Sequence, residues 1–324
     1  MTRKNKKRNQ RKTNVASKRE AVKGSTDTGI YHKYVTSESL KAILQNGSLK
    51  ITNPLDFNDP FDCNFPEYKP TINLYSLCEP IIRQKFSSLF KNLPKNQENA
   101  IRAKIYKELL PHSLPKDLIS KGLHSVQNEW DSYISEYRVL SLTTKRDNIL
   151  MWSHYGDSHR GAVLSYNFSE DKTFKGIEKV KYDENNKLLS QFIDNILKTY
   201  IKFIIRSSDS IDIAIEKLDD FTDRPDIVNP LTQYFLNEMK PYFFIKKNDW
   251  NYENEHRLVK RINEIQDDFL KFNPEALIEI TFGIRFDESL KRELIDTILE
   301  KYPHVTIQNA IKYNGVLKIV KHNN

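Results

Sequence analysis

The sequence predicts an α+β fold, in which a small split or mixed β-sheet core carries two helical insertions. Short β-prone runs recur from residue 30 onward, and helical patterns separate them without an internal repeat. Two stretches, at about 73–136 and 188–239, place their apolar residues mainly at helical spacing. The chain has only 9 glycines in 324 residues, which argues against a doubly wound dinucleotide-binding fold with its glycine-rich turn.

Residues 1–27 are predicted to be a disordered basic tail, and residues 28–324 a single α+β domain with those insertions. Residues 1–24 contain ten Lys or Arg and one acid, whereas the rest of the chain has 41 bases and 42 acids. Clustered cations bind nucleic acid by releasing its counterions, so the tail is a candidate nucleic-acid contact. A solubilising extension without a specific partner is equally compatible with this composition.

The composition favours a cytoplasmic protein without a metal centre. Cys63 and Cys78 are too few for a disulfide framework and lack the spacing of metal ligands. No apolar stretch is long enough to span a bilayer, and the charged N-terminus has no apolar core behind it, so neither a membrane partner nor a secretory signal is expected. The oligomeric state is left open.

The first ordered elements are predicted from Ile30 onward. Ile30–Val35 is a β-prone run, and Thr36 then offers a hydroxyl cap for a helix that Asn46-Gly47 closes. Leu49–Thr52 is a second short strand, which a turn-forming loop rich in Asn, Asp and Pro follows.

The later elements alternate between short strands and helices. Further strands are predicted at Tyr137–Thr143, Ala162–Phe168, near Glu178–Tyr182, and at Phe243–Lys246, Glu255–Arg261, Leu277–Ile284, Thr306–Ile307 and Leu317–Val320. A helical turn is predicted at Asn148–Tyr155 and an amphipathic helix at Ser289–Tyr302.

The first polar cluster lies on the opening strand and in the loop after it. Its members are Tyr31, His32, Lys33, Tyr34, Asn58 and Asp59. Strand alternation puts His32 and Tyr34 on one face, where an imidazole and a phenol can bind ribose hydroxyls and stack on a planar ring. The alternative is a sheet core in which these polar groups find backbone partners.

The second cluster combines aromatic, basic and hydroxyl side chains within about twenty residues. Its members are Ser141–Thr143, Met151–Gly156 and His159–Gly161, which include Trp152, Ser153, His154, Tyr155 and Arg160. A helix that packs its aromatic stripe into the core explains Trp152 but leaves Ser153, His154 and Arg160 unexplained. A serine nucleophile is disfavoured because no G-x-S-x-G motif is present, and a zinc site because H-E-x-x-H is absent.

The third cluster is Trp250–Arg257, with two glutamates and an arginine. If the stretch is extended, Glu253, Glu255 and Arg257 share one face. Neighbouring carboxylates raise the pKa of one of them, and a nearby arginine lowers it. Such a glutamate can orient a ribose hydroxyl or activate an acceptor. The alternative is an exposed edge strand with a surface ion pair.

In these three clusters the chain resembles a bacterial family of unknown function, domain-of-unknown-function family 2971. The resemblance runs from about residue 30 to residue 286 and includes F-N-D-P-F, L-S-L-T, M-W-S-H-Y, H-x-G, W-x-Y-E-x-E-x-R and I-x-F-G-x-R-F. These motifs stand at Phe57–Phe61, Leu140–Thr143, Met151–Tyr155, His159–Gly161, Trp250–Arg257 and Ile280–Phe286. The resemblance names a family without implying an activity.

More distantly, the chain is similar to the ADP-ribosyltransferase superfamily. There an early strand carries a histidine, a middle segment supplies rings that stack on nicotinamide, and a late strand brings the catalytic glutamate. The resemblance implies an ADP-ribosyltransferase-like fold and NAD as a substrate. It implies ribose contact for His32 and pyrophosphate contact for Arg160 or Arg257. Tyr34 stands two residues after His32, where the superfamily often has Thr or Ser.

The clusters and the resemblance together give a set of candidate residues. The catalytic candidates are Glu255, ahead of Glu253, and His154. The candidates for binding the nucleotide are Tyr31, His32, Tyr34, Asn58, Asp59, Trp152, Ser153, Tyr155, His159, Arg160 and Arg257. Tyr155 and Trp152 are expected to stack on the nicotinamide.

The leading hypothesis is therefore an NAD-dependent ADP-ribosyltransferase or an NAD glycohydrolase. By analogy with bacterial proteins of such activity, its role is that of a toxin or a phage-defence effector. One alternative is a non-catalytic module that binds a nucleotide or nucleic acid. Another is a metal-dependent nuclease, for which Asp59, Asp62, Glu253 and Glu255 are the available acids.

Overall fold

The computed structural model of the chain describes residues 29–65, 74–109, 124, 127–183, 187–219, 236 and 239–322. The predicted basic tail lies outside the described residues. Within them, the predicted α+β class is confirmed as a mostly antiparallel sheet with several helices. No helix among these residues has the length and apolarity that a bilayer crossing requires.

Eight strands form the main sheet. They are β1 (Ile30–Val35), β3 (Tyr137–Thr143), β4 (Ala162–Asn167), β5 (Glu178–Lys179), β8 (Glu255–Arg261), β10 (Leu277–Phe282), β11 (Thr306–Tyr313) and β12 (Val316–Lys321). Their order is β12-β11-β10-β4-β1-β3-β8-β5, and every neighbouring pair is antiparallel except β10–β11. Two further pairs are β2 (Ser48–Lys50) with β9 (Phe269–Lys271), and β6 (Lys181–Tyr182) with β7 (Ile245–Lys246).

The described residues include eight helices, numbered in chain order. They are α1 (Ser37–Asn46), α2 (Leu74–Lys85), α3 (Ser87–Phe90), α4 (Lys95–Leu109), α5 (Ile149–His154), α6 (Lys187–Ser207), α7 (Ile211–Asp219) and α8 (Glu288–Lys301). Residues 127–135 are also helical.

Helix α1 begins and ends where the sequence predicts. The hydroxyl of Thr36 accepts a hydrogen bond from the backbone N–H of Ser39 at 3.2 Å, which caps the first turn. Gly47 ends the helix in the left-handed region with φ +62°, a conformation that costs glycine little. The apolar side of the helix buries Leu40 and Leu44 completely.

The main core lies between one face of the sheet and helices α1 and α8. It contains Leu164, Ile280 and Phe282 from the central strands, together with Leu44 and Ile298 from the two helices. A separate apolar cluster joins α2, α6 and α7. Helices α2, α6 and α7 therefore have a core of their own. On the sheet face opposite the main core, Val139, Val163 and Val259 are buried in two smaller apolar clusters.

The central sheet opens between β1 and β3. Strand β1 pairs with β4 along all six residues but with β3 only at His32 and Thr143. Where the two strands separate, the Nζ of Lys33 donates to the backbone oxygen of Ser141 at 3.3 Å. At this gap a side-chain donor bonds the backbone oxygen of the neighbouring strand, which stabilises the separated strands.

Three predicted elements differ from the structure. The expected strand Phe243–Lys246 is confirmed only at Ile245–Lys246, which is β7. Its first half belongs to the 3₁₀ turn Lys240–Phe244, because the consecutive aromatic residues are all buried and do not alternate between two faces. The expected strand near residues 178–182 consists of the short β5 and β6, which belong to different sheets. The C-terminal strands are longer than predicted and form one hairpin, β11–β12.

Candidate functional site

A polar pocket lies over the gap between β1 and β3. It encloses about 580 Å³, including its open mouth. Its lining comes from the early, middle and late parts of the chain: His32, Lys33, Tyr34, Phe57, Asn58, Asp62, Ser141, Leu142, Thr143, Met151, Tyr155, Lys246, Glu253 and Glu255.

Glu253 reaches the pocket from a turn rather than from a strand. Asn248–Glu253 forms a 3₁₀ turn that ends at Asn254, whose φ of +45° lies in the left-handed region that asparagine tolerates. The hydroxyl of Thr143 donates to the backbone oxygen of Glu253 and fixes the end of this turn. The extended conformation considered for this stretch therefore holds only from Glu255 onward.

Lys246 lies at the centre of three acidic side chains. Its Nζ is 2.7 Å from Glu253 Oε2, 3.2 Å from Glu255 Oε2 and 3.5 Å from Asp62 Oδ2. All four side chains are at most 7% exposed, so solvent screens these interactions weakly. The ammonium fills the position that a metal ion would need among these carboxylates. No cluster of metal ligands occurs among the described residues.

Arg257 lies beneath the pocket and is fully buried. It donates from Nε to Glu255 Oε1 at 2.7 Å and from Nη2 to Glu255 Oε2 at 3.0 Å. It also donates to both oxygens of Asp62, at 3.1 and 2.5 Å, and to the backbone oxygen of Phe243 at 2.8 Å. With its donors engaged, this guanidinium positions the acids and does not reach a ligand.

The two glutamates have different proton affinities. Burial raises the pKa of Glu253, and Lys246 and Tyr155 offset this only in part. Burial also acts on Glu255, but Arg257 and Lys246 outweigh it and lower its pKa to about 2. The hydroxyl of Tyr155 donates to Glu253 Oε1 at 2.6 Å. At neutral pH the pocket therefore presents one firmly ionised carboxylate beside one that takes up a proton more readily.

His32 is neutral at physiological pH. Burial, and then the nearby Arg146, lower its pKa to about 4. Its Nδ1 lies 2.9 Å from the hydroxyl of Ser165. Burial lowers the pKa of the neighbouring Lys33 to about 8, against the influence of Glu255. The part of the pocket wall that β1 forms therefore carries an uncharged imidazole. Beside it is a lysine that loses its proton at a lower pH than an ordinary lysine.

Six of the predicted site residues line this pocket: His32, Tyr34, Asn58, Tyr155, Glu253 and Glu255. Of these, Tyr34 also donates its hydroxyl to the backbone oxygen of Lys145 at 2.9 Å, which leaves its ring as the part facing the cavity.

Eight predicted residues lie elsewhere. Three of them make contacts within the protein and do not line the pocket. Tyr31 packs in the main core, Trp152 is fully buried, and Asp59 accepts a hydrogen bond from the backbone N–H of Phe61 at 2.9 Å. Arg257 is the fourth, and it lies beneath the pocket with Glu255 and Asp62 as its partners.

The other four surround the outer side of α5. His154 is exposed and contacts the hydroxyl of Tyr252 at 2.9 Å, and Ser153 donates to the backbone oxygen of Ile149 at 3.0 Å. Arg160 is exposed, and His159 lines a second cavity. None of these four side chains lines the pocket.

The clusters found in the sequence do not include Lys246. They contain Lys33 without an assigned role, and Asp62 only as an available acid for the nuclease alternative. Lys246 ends a run of four aromatic or aliphatic residues, Tyr242–Ile245, which is an unusual place for a lysine. A charged residue at the end of a buried run requires a buried partner. That signal predicts an ion pair but does not identify Glu253 and Glu255 as its members.

Comparison with known proteins gives one match. Residues 151–258 match the family described as Protein of unknown function (DUF2971). The matched range contains five lining residues, namely Met151, Tyr155, Lys246, Glu253 and Glu255. No curated protein and no solved structure matches the chain.

Proposed function

We propose that the chain is an ADP-ribosyltransferase-like enzyme that uses NAD as its substrate, with an acceptor molecule or water receiving the ADP-ribose. The observation that carries this proposal is the meeting of His32, Tyr155 and Glu255 in one pocket. These residues come from the early, middle and late segments in which the superfamily resemblance expects a ribose contact, a ring and a catalytic acid. The gap between β1 and β3 gives this pocket its floor.

The reaction requires little covalent chemistry from the protein. The bond between ribose C1 and the nicotinamide nitrogen breaks, and nicotinamide leaves with the bonding electron pair. A new bond forms between C1 and the acceptor oxygen or nitrogen, and the acceptor loses its proton. The protein has to hold the ribose, stabilise the positive charge that develops at C1, and accept that proton.

The two glutamates match these two requirements. Glu255 is ionised over the whole physiological range and is held rigidly by Arg257, which suits stabilisation of a cationic transition state. Burial raises the pKa of Glu253, which is the direction that favours proton uptake by a catalytic base. Environments that separate the pKa values of two neighbouring carboxyl groups are typical of paired catalytic acids.

The stacking role falls to Tyr155 and not to Trp152, because Trp152 has no exposed surface. Tyr155 lines the pocket and its hydroxyl is bonded to Glu253. Phe57 also lines the pocket and offers a second ring. A planar nicotinamide between such rings would gain stacking energy of about 0.5–1.5 kcal/mol per ring.

The test is release of nicotinamide from NAD by the full chain, with and without nucleic acid and protein acceptors. Glu255→Gln keeps the shape of the side chain but removes its charge, and we expect it to lower the rate about 100-fold or more. Glu264→Gln makes the same chemical change at an exposed turn and should leave the rate unchanged. Binding of NAD is measured separately by calorimetry for all three proteins.

A non-catalytic nucleotide-binding module is the second candidate. The observation that favours it is that the oxygens of both glutamates already have protein partners. It predicts that NAD binds without release of nicotinamide under any acceptor condition. If wild type releases nicotinamide and Glu255→Gln releases it at the same rate, the assignment of Glu255 as the catalytic acid is wrong.

A further inference from the structure

A second cavity lies on the other side of helix α5. It encloses about 600 Å³, including open solvent at its mouth. It is lined by Ile149, His159, Ile284, Arg285, Lys312, Gly315, Val316 and Leu317. This lining contains an arginine, a lysine and an imidazole but no carboxylate, so its charge favours an anion.

Two motifs that the polar pocket does not use build this cavity. The H-x-G motif, His159–Gly161, and the late motif Ile280–Phe286 are joined by backbone hydrogen bonds. Gly283 N–H donates to Gly161 O at 2.9 Å, and Arg285 N–H donates to His159 O at 2.9 Å. A Cβ on Gly283 would lie 2.2 Å from His159 O, so only glycine permits this approach.

The loop that carries His159 has an unusual backbone. Asp157, Ser158 and His159 have φ of +46°, +51° and +70°, three consecutive left-handed conformations in non-glycine residues. Each such residue costs on the order of 1 kcal/mol or more, and strained backbone of this kind occurs often at ligand-binding sites. The contacts to residues 283–285 hold the loop in this state.

The loop presents His159 as a flat and incompletely bonded ring. Its imidazole is parallel to the indole of Trp152, with an interplanar angle of 6° and centroids 6.0 Å apart. Because Trp152 is fully buried whereas His159 lines the cavity, the imidazole lies between the indole and the cavity. The Nδ1 of His159 is buried without a hydrogen-bond partner among the described residues, and Nε2 lies 3.4 Å from the Ser153 hydroxyl.

We propose that this second cavity binds a nucleotide unit, with Arg285 and Lys312 contacting the phosphate and the His159 ring stacking on the base. Arginine and lysine are common phosphate ligands, and a nucleobase is a planar ring that can stack on the cavity side of the imidazole. The apolar side chains at the rim, Ile149, Ile284 and Val316, suit the sugar and the edge of the base.

Charge complementarity extends beyond the lining. Residues 302–324, which include the β11–β12 hairpin, contain three lysines and no Asp or Glu. The same chemistry is offered by a free mononucleotide and by one nucleotide of a single strand. The proposal is independent of the NAD reaction, since it uses neither Glu253 nor Glu255.

The test uses adenosine monophosphate and a single-stranded adenine oligonucleotide with the full chain. We expect the double variant Arg285→Gln/Lys312→Gln to weaken binding of both probes about tenfold or more. The matched control Lys50→Gln/Lys271→Gln removes two exposed charges from the β2–β9 pair and retains the N-terminal tail, so it should change binding little. Adenosine without phosphate should bind wild type as weakly as the monophosphate binds the double variant.

The two probes distinguish the source of the nucleotide. Tighter binding of the oligonucleotide, with a salt dependence that the double variant reduces, indicates a strand. Equal affinities indicate a free mononucleotide. The proposal is wrong if the double variant binds both probes as the control does, or if only Glu255→Gln weakens binding, because the nucleotide then occupies the polar pocket. Thermal unfolding of each variant verifies that the fold is retained.

Discussion

Replacement of Arg257 by methionine tests the buried charge network that supports the polar pocket. The side chain makes five N–H···O hydrogen bonds, to Glu255, Asp62 and the backbone of Phe243. Methionine fills a similar volume but leaves one ammonium, Lys246, to neutralise three buried carboxyl groups. Breaking a buried ion pair from one side costs about 3–5 kcal/mol, so we expect a loss of that size in the free energy of unfolding.

Urea unfolding is the assay, and Arg261→Met on the same strand is the matched control. The ion pair of Arg261 with Glu136 has side chains 41% and 39% exposed, and such surface pairs contribute about 0–1 kcal/mol. If Arg257→Met does not fold, Arg257→Lys keeps the charge but loses the planar geometry that bonds two acids at once. It should lower the urea midpoint by an intermediate amount.

The pH dependence gives an independent check. In wild type the pKa of Glu255 is lowered to about 2, so its contribution to stability is present above the ordinary value of 4.5 and is lost as pH falls toward 2. Arg257 is the largest influence that lowers the pKa of Glu255, so in its absence we expect burial to raise that pKa above 4.5. The deficit of Arg257→Met should therefore be larger at pH 7.5 than at pH 5. An equal loss for Arg261→Met, or a deficit that does not change with pH, would refute this account.

Three further predictions concern single residues around the two cavities. Tyr155→Phe removes the hydroxyl that stabilises ionised Glu253, so the acidic limb of the pH–rate profile for nicotinamide release should move to higher pH. Lys33→Met removes an amine whose pKa burial lowers from 10.5 to about 8. The folded wild type therefore gains stability between pH 8 and 10.5, and the urea midpoint of the variant relative to wild type should be highest below pH 8 and fall above it. Gly283→Ala places a methyl group 2.2 Å from the backbone oxygen of His159, and its free energy of unfolding, measured with urea, should fall by about 1–3 kcal/mol.

The secondary structure was predictable where local chemistry decides it. The hydroxyl cap and closing glycine of α1, and the run of Tyr137–Thr143, each carry their own signal within ten residues. Prediction failed where tertiary packing decides the backbone. Residues Tyr242–Phe244 are β-prone by composition, yet they form part of a 3₁₀ turn because all three rings are buried together against Trp130 and its neighbours.

The site was only partly predictable, because sequence clusters do not specify which side chains point the same way. The acidic cluster around Glu255 was visible, but its partners Asp62 and Lys246 come from a distant loop and from a short strand. Nothing in the spacing of a single lysine and a single aspartate indicates that they meet. The role expected for Arg257 was a ligand contact, whereas its bonds to Glu255 and Asp62 bury it completely.

Helix α5 explains why one dense motif divides between two cavities. In a helix, residues three or four apart share a face, and adjacent residues point in different directions. Met151 and Tyr155 accordingly line the polar pocket, Ile149 lines the second cavity, and Trp152 lies buried between them. Trp152 contacts both sides, since its ring meets Tyr34 edge-on at 5.4 Å and stacks on His159 at 6.0 Å. The tryptophan therefore has a positioning role for both cavities, which accounts for its place in the motif without any contact to a ligand.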